Sequence, residues 1–146
     1  MRHIATTAIL CLAFTAVTTA KEKAEDKAVP LPTAKDVKTI SITYYRIKRG
    51  GVEFKATPAD WKALRGTLLP AKRDPDPAKW KAVGRVKIVK KDGKPFQVEL
   101  YRPSKGPGAF AAGKTFKERV YYRGGNSSKL MEALHDAYEK SKARDK

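Results

Sequence analysis

Three groups of residues in this chain have the types and spacing to do chemistry. The first is Gly108-Ala-Phe-Ala-Ala-Gly113-Lys114-Thr115, which meets the phosphate-binding pattern GxxxxGK[ST] at every specified position. There, backbone N–H groups would wrap a phosphate, Lys114 would reach the terminal phosphates and Thr115 would ligate magnesium. That chemistry needs a buried parallel strand before the loop and a helix after it. The segment in front instead has the alternation of an amphipathic hairpin strand, and no apolar strand ending in Asp is present to hold the metal. A flexible loop is the better reading of residues 104–113. A phosphate-loop nucleotide-binding protein ranks last of the functional alternatives.

The second group is His135 with Glu132 three residues before it and Glu139 four after, a spacing that places all three on one helix face. One such His–Glu pair lacks a visible third ligand to complete a metal site, and the sequence has no GxSxG nucleophile elbow. Asp74, Asp76, Glu99 and Glu118 are available as acids, but no spacing brings two of them together. The expectation is a non-enzyme with no catalytic residues, no metal and no cofactor.

The third group interleaves cations with aromatic rings. Tyr44-Tyr45-Arg46-Ile47-Lys48-Arg49 and Tyr121-Tyr122-Arg123 can present tyrosine and guanidinium side by side, to stack on a ring and hold an anion. Tyr45, Arg46, Lys48, Arg49, Lys114, Tyr121 and Arg123 are therefore the anion-binding candidates. The competing expectation is that alternate tyrosines enter the core while the cations lie along the surface. Arg73, Arg85, Lys87, Lys90, Lys91 and Lys94 add basic density without an aromatic platform, and Trp61 and Trp80 are expected in the core.

The composition fits a binding role. Of 146 residues, 32 are Lys or Arg and 15 Asp or Glu. Residues 1–20 have a basic start at Arg2, the apolar run Ile9–Val17 and small residues at Thr18-Thr19-Ala20, the pattern of a secretory signal peptide. The apolar run is short of the roughly 20 residues that span a bilayer. Cleavage after Ala20 would remove the single cysteine, Cys11, and with it any disulfide or thiolate chemistry. It would leave 31 basic against 15 acidic residues, net +16. Such a charge favours polyanionic partners and opposes self-association, so a monomer is expected. The partner classes are an anionic envelope polymer or surface, an unidentified protein, and nucleic acid. The compartment is the periplasm or the exterior.

The elements that must position these residues follow from periodicity. Residues 21–36 mix both charge signs with Ala and Pro and predict a disordered linker. A single domain is expected over 37–142, with 143–146 as a frayed basic tail. Val37–Lys48 predicts a strand turned by Gly50-Gly51 into Val52–Lys55, pairing Ile47 with Phe54 and Lys48 with Glu53, with a bulge near Tyr44-Tyr45. Thr57-Pro58-Ala59-Asp60 starts a helix that carries Trp61, Leu64 and Leu68 on one face and ends at Pro70. Asp76 can cap a second short turn that faces Trp80 and Val83 inward. Gly84–Arg102 predicts a hairpin around a three-residue loop, Lys91-Asp92-Gly93, because only that register puts Ile88 with Phe96 and Val86 with Val98 on one face. Arg85 then meets Glu99, and Lys87 meets Gln97. A strand over Glu118–Arg123 and a last helix from Asn126 or Ser127 to about Ser141 complete the set. The class is α+β, an antiparallel sheet of about four to five strands with two main helices on one face.

Trp80–Arg102 (WKAVGRVKIVKKDGKPFQVELYR), with Tyr121-Tyr122-Arg123-Gly124-Gly125 and the last helix, resembles small uncharacterised exported bacterial domains. They share a strand, a helix, a DG hairpin, a YYRG-like strand and a closing helix, and the resemblance spans roughly residues 37–142. It implies the α+β fold and carries no activity or site. Together these readings give an exported, non-enzymatic basic domain that binds an anionic envelope component or a protein partner, or is structural, with an extracytoplasmic nucleic-acid binder as the alternative. Expressed in full in a bacterium, the chain should be recovered outside the cytoplasm with Lys21 as its first residue; N-terminal sequencing that finds residue 1 would overturn the signal-peptide reading.

Overall fold

The computed structural model describes residues 29–75, 80–103 and 106–146. The signal peptide, most of the linker and the Asp76 cap lie outside these residues. Seven strands are present: β1 (Val37–Tyr44), β2 (Val52–Ala56), β3 (Ala71–Arg73), β4 (Lys81–Lys90), β5 (Pro95–Arg102), β6 (Ala109–Gly113) and β7 (Val120–Gly124). Two α-helices, α1 (Pro58–Leu68) and α2 (Ser127–Arg144), and a short 3₁₀ turn over Ala34–Asp36 complete the order. All strand pairs are antiparallel, in the order β2-β1-β4-β5-β6-β7-β3.

The β4–β5 hairpin has the register that alternation requires. Ile88 faces Phe96, Val86 faces Val98, Gly84 faces Leu100, and Arg85 faces Glu99. Lys91-Asp92-Gly93 is the loop: Lys90 N donates to Lys94 O at 3.0 Å, and Gly93 takes φ +80°. The Asp92 carboxylate accepts from Lys94 N at 3.0 Å, which holds its pKa below the ordinary carboxylate value.

Both helices cover one face. Thr57 caps α1, its hydroxyl accepting from Asp60 N at 3.2 Å while Asp60 accepts from Thr57 N at 2.9 Å. Trp61, Leu64 and Leu68 of α1 meet Leu130, Leu134 and Ala137 of α2 in one core with Ile40, Ile42, Val86, Ile88, Val98, Leu100 and Phe110. Asn126 caps α2 through Lys129 N.

Several expectations need correction. The described residues form seven strands, not four or five. The loop expected over residues 104–113 contains β6, an inner strand whose Ala109, Phe110, Ala111 and Ala112 are all buried. Alanine carries weak strand propensity, so the burial of this segment by its neighbours decided its conformation. β3 is only three residues long and has no period of its own. β1 ends at Tyr44, not Lys48: Ile42 pairs with Phe54, Thr43 with Glu53 and Tyr44 with Val52, leaving a Tyr45–Gly51 loop with Ile47 exposed. The phase change after Tyr44 is thus the end of a strand, and the irregular pairings lie in β4 between Ala82 and Gly84 and in β1 between Val37 and Thr39. The β7 strand starts at Val120, two residues later than expected.

Part of the expected linker is packed. Val29 and Leu31 are buried in the core, and Pro32 O accepts from Trp61 Nε1 at 2.8 Å. The tail is also held, since Arg144 extends α2, donates to Lys55 O at 3.0 Å and pairs with the buried Asp60 at 3.5 Å.

Gly125 closes the β7–α2 junction over the end of α1. Its φ is +69°, and its N–H donates to Pro70 O at 2.9 Å. A Cβ there would land on the Thr67 carbonyl oxygen and sit 2.8 Å from the Leu68 backbone. Gly93 has a similar φ with open space around it. Gly93→Ala should therefore cost about 1–2 kcal/mol, the conformational penalty alone, and Gly125→Ala at least about 3 kcal/mol because backbone must also move. Urea denaturation of the two variants checks the difference, and equal losses would contradict the junction geometry.

Candidate functional site

Alternation sends every second residue of the sheet away from the helices, so the helix-free face has its own composition. Along β5 it carries Gln97, Glu99 and Tyr101; opposite them on β6 stand Gly113, Ala111 and Ala109, and on β7 Tyr121 and Arg123. Ala109 and Ala111 are fully covered although no helix lies over them. Side chains from the rims of the face do the covering.

At one end the cover is aromatic. Trp80, at the entry to β4, packs its ring 5.7 Å from Tyr101 and 6.1 Å from Tyr121, centroid to centroid. Arg123 lies over the Trp80 ring at 5.3 Å and pairs with Asp74 at 3.2 Å. Tyr101 is the most buried of the three rings, and this burial, with Glu99 and the Tyr121 hydroxyl beside it, pushes its pKa up to about 12. At the other end Phe116 reaches over from the β6–β7 turn. The Arg85 and Arg119 guanidiniums stack on its ring at 4.3 and 4.0 Å, and both hold Glu99, at 3.6 and 2.8 Å. Glu99 serves two cations while only 11% exposed. The ion pairs on this face are thus partly desolvated and orient the guanidiniums.

Beside the aromatic cluster is a notch of about 340 Å³ lined by Tyr45, Arg46, Lys81, Ala82, Val83 and Arg102. It forms where β1 stops: Tyr45 N donates to Val83 O at 3.0 Å, at the irregular pairing of β4. Ala82 belongs to both features, since it also packs against the aromatic cluster. A larger hollow of about 550 Å³ lies at the opposite end of β4 and β5, where Lys90, Lys91, Lys94 and Lys114 meet Asp36 and Asp92.

The seven candidates are thereby divided. Tyr45 and Arg46 line the notch, and Tyr121 and Arg123 stand on the helix-free face beside it. Lys48 and Arg49 lie exposed in the Tyr45–Gly51 loop. Lys114 is at the far end, in a turn between two antiparallel strands, and Thr115 Oγ1 accepts from Glu118 N at 3.3 Å instead of opening a helix. The phosphate-loop arrangement is therefore absent from Gly108–Thr115. His135, Glu132 and Glu139 are exposed on α2. Among the described residues no group of three or more His, Cys, Asp or Glu side chains comes together, and no helix is long and apolar enough to cross a membrane.

Sequence reasoning missed Trp80, Tyr101, Lys81, Arg102, Arg119 and Phe116. Trp61 is in the core as expected, but Trp80 packs on the other face. The signal for Tyr101 was available: with Phe96, Val98 and Leu100 on one face of β5, residue 101 falls on the other. Trp80 and Phe116 had no such signal, because each lies outside a strand. Compared with known protein families, curated proteins and solved structures, the chain matches none of them.

The raised pKa of Tyr101 has a sign that can be tested. An unfolded tyrosine ionises near 10 and Tyr101 in the fold near 12, so the unfolded chain releases its proton first. The stability this group contributes is full below pH 10 and is lost as pH rises toward 12. Denaturant midpoints should fall across that interval, and Tyr101→Phe should flatten the fall. An unchanged slope in the variant would contradict the burial of the hydroxyl.

Proposed function

We propose that this protein is a non-enzymatic, exported binder of an anionic envelope polymer, and that it binds through the helix-free face of its sheet. The observation that carries the reading is the meeting, on that face, of part-exposed Trp80 and Tyr121 with the guanidiniums of Arg123 and Arg119, which lie over their rings. Rings of this kind accept the flat face of a sugar or a base, and guanidiniums and ammoniums hold its charge. On the helical face the aromatics are largely taken up in packing: Tyr44 and Phe54 pack on Tyr138, and Phe110 stacks on Tyr122.

The net charge and the export signal support a polymer over a small neutral ligand. Aromatic rings beside cations on an open sheet also suit single-stranded nucleic acid, which is the second reading. The reading is tested by titrating the protein with an acidic polysaccharide (sodium polygalacturonate), duplex DNA and anionic vesicles, each across a salt series. A contact that is only polyelectrolyte in nature weakens linearly with log salt, with a slope near −0.9 per neutralised phosphate on duplex DNA. The polysaccharide should bind best and keep part of its affinity at high salt. Equal binding of all three, released together as salt rises, would show a solvated surface and overturn the proposal.

A further inference from the structure

The hollow at the far end of β4 and β5 is built from three segments that the fold ties in place. Pro32 O accepts from Trp61 Nε1 at 2.8 Å and Leu31 O from Arg65 Nε at 3.4 Å, which fixes the stretch ahead of the 3₁₀ turn. The β4–β5 loop is bound to the end of that turn, Lys91 N donating to Asp36 O at 2.8 Å. The third segment carries Lys114, set beside β5 by the pairing of Gly113 with Gln97. The space they enclose, about 550 Å³, is within the roughly 300–1,000 Å³ of small-molecule sites. It holds one ring with a substituent, and not a length of polymer.

The lining has two chemical halves. Leu31, Pro32 and Phe96 form an apolar wall, and Leu31 and Phe96 belong to the buried core. Lys90, Lys91, Lys94 and Lys114 bring four ammoniums against the carboxylates of Asp36 and Asp92, so the lining carries a net +2. Both acids are engaged locally: Asp36 accepts from Thr33 Oγ1 at 2.6 Å, and Asp92 accepts from Lys94 N at 3.0 Å. The Lys90 and Lys94 ammoniums stand 3.7 and 3.8 Å from Asp92, part-exposed ion pairs of little worth that an incoming anion can replace. All four cations are lysines, whose rotatable donors act as point charges toward a phosphate. A phosphate monoester carries about −1.5 to −2 charge at pH 7 and three acceptor oxygens, which matches the lining, whereas a monoanion leaves half of its charge uncompensated. We infer that the hollow binds the phosphate monoester of a compact organic group, the phosphate among the four lysines and the organic body against Leu31, Pro32 and Phe96. This site goes beyond the polymer reading and does not depend on it.

The test titrates isotope-labelled protein with phenyl phosphate, benzenesulfonate and inorganic phosphate at one salt concentration. Phenyl phosphate should shift the Leu31, Lys91, Phe96 and Lys114 amide resonances. It should bind at least about tenfold more tightly than benzenesulfonate, its monoanionic counterpart, and more tightly than inorganic phosphate, which has no ring. Lys91→Gln/Lys114→Gln should weaken phenyl phosphate at least about tenfold, the scale of a lost charge-assisted hydrogen bond. Lys48→Gln/Lys140→Gln removes as much charge from residues that do not line the hollow, and should weaken it less than about threefold because salt screens distant exposed charges. All four lysines are exposed, and matching denaturation midpoints would confirm that both variants fold. Equal losses in the two variants, or shifts that spare the hollow, would overturn the site. Equal binding of benzenesulfonate would overturn the monoester assignment, and equal binding of inorganic phosphate the role of the apolar wall. Vesicles of phosphatidic acid, a monoester headgroup, and of phosphatidylglycerol, a diester, distinguish the source. A preference for phosphatidic acid that Lys91→Gln/Lys114→Gln removes places the monoester on a lipid, and equal binding of the two vesicles leaves a free monoester. Loss of the site with polygalacturonate binding intact would leave the functional reading standing.

Discussion

A sheet has two faces, and both helices of this protein lie on one of them. That constraint governs the rest of the structure. On the helical side the solution is ordinary: Trp61, Leu64 and Leu68 from α1 and Leu130, Leu134 and Ala137 from α2 close over alternate strand residues. On the other side the strands must either be polar or find cover. They do both. The outer strands β1 and β2 present Ser41, Thr43, Glu53 and Lys55 to solvent. The inner strand β6 presents alanine, which rim aromatics can cover closely because it has almost no side chain to displace them. A larger residue at Ala109 or Ala111 would lift Trp80, Tyr121 or Phe116 off the sheet, so the small residues of β6 and the aromatic cover depend on each other.

Cover by rim side chains needs orientation, and the ion pairs supply it. Phe116 sits between the Arg85 and Arg119 guanidiniums, which Glu99 holds in turn, and Arg123 is fixed over Trp80 by Asp74. Ion pairs are weak evidence of stability whether exposed or partly buried. Their value here lies in direction: a guanidinium bound at its edge by a carboxylate keeps its flat face on a ring. The same arrangement consumes positive charge. Arg85, Arg119 and Arg123 are thereby tied into the structure of the face.

The sequence made legible whatever rests on strict periodicity. The β4–β5 register, the Thr57 cap with Pro58 and Asp60, and the inward faces of both helices all follow from residues at fixed spacing with one chemically sensible arrangement. What escaped depended on contacts between distant segments. β6 reads as a loop because Ala-Phe-Ala-Ala-Gly has no alternation, and its strand state comes from pairing with β5 and β7 on both sides. Leu31 looks like part of a charged linker until the Trp61 indole bonds to the next residue's carbonyl. The candidate site divides in the same way. Tyr45, Arg46, Tyr121 and Arg123 could be nominated because cation and ring are adjacent in sequence. Lys81 and Arg102 could not, since the β4–β5 register brings them together only at the open end of the hairpin.

Net charge alone would distribute attraction over the whole surface, and a surface of that kind has little means of choosing among polyanions. Selectivity requires that some cations be neutralised by the protein itself while others are left for a partner at a defined place. The ion pairs meet the first part of this requirement. Glu99 holds Arg85 and Arg119 against the Phe116 ring, and Asp74 holds Arg123 over Trp80. The position of these guanidiniums is fixed twice, by the strands that carry Arg85 and Arg123 and by the carboxylates that hold them. Cations held on paired strands lose less freedom on binding than cations on a loop such as Lys48 and Arg49. Arg85 and Arg123, held on paired strands and fixed by carboxylates, are therefore better preorganised than the loop cations.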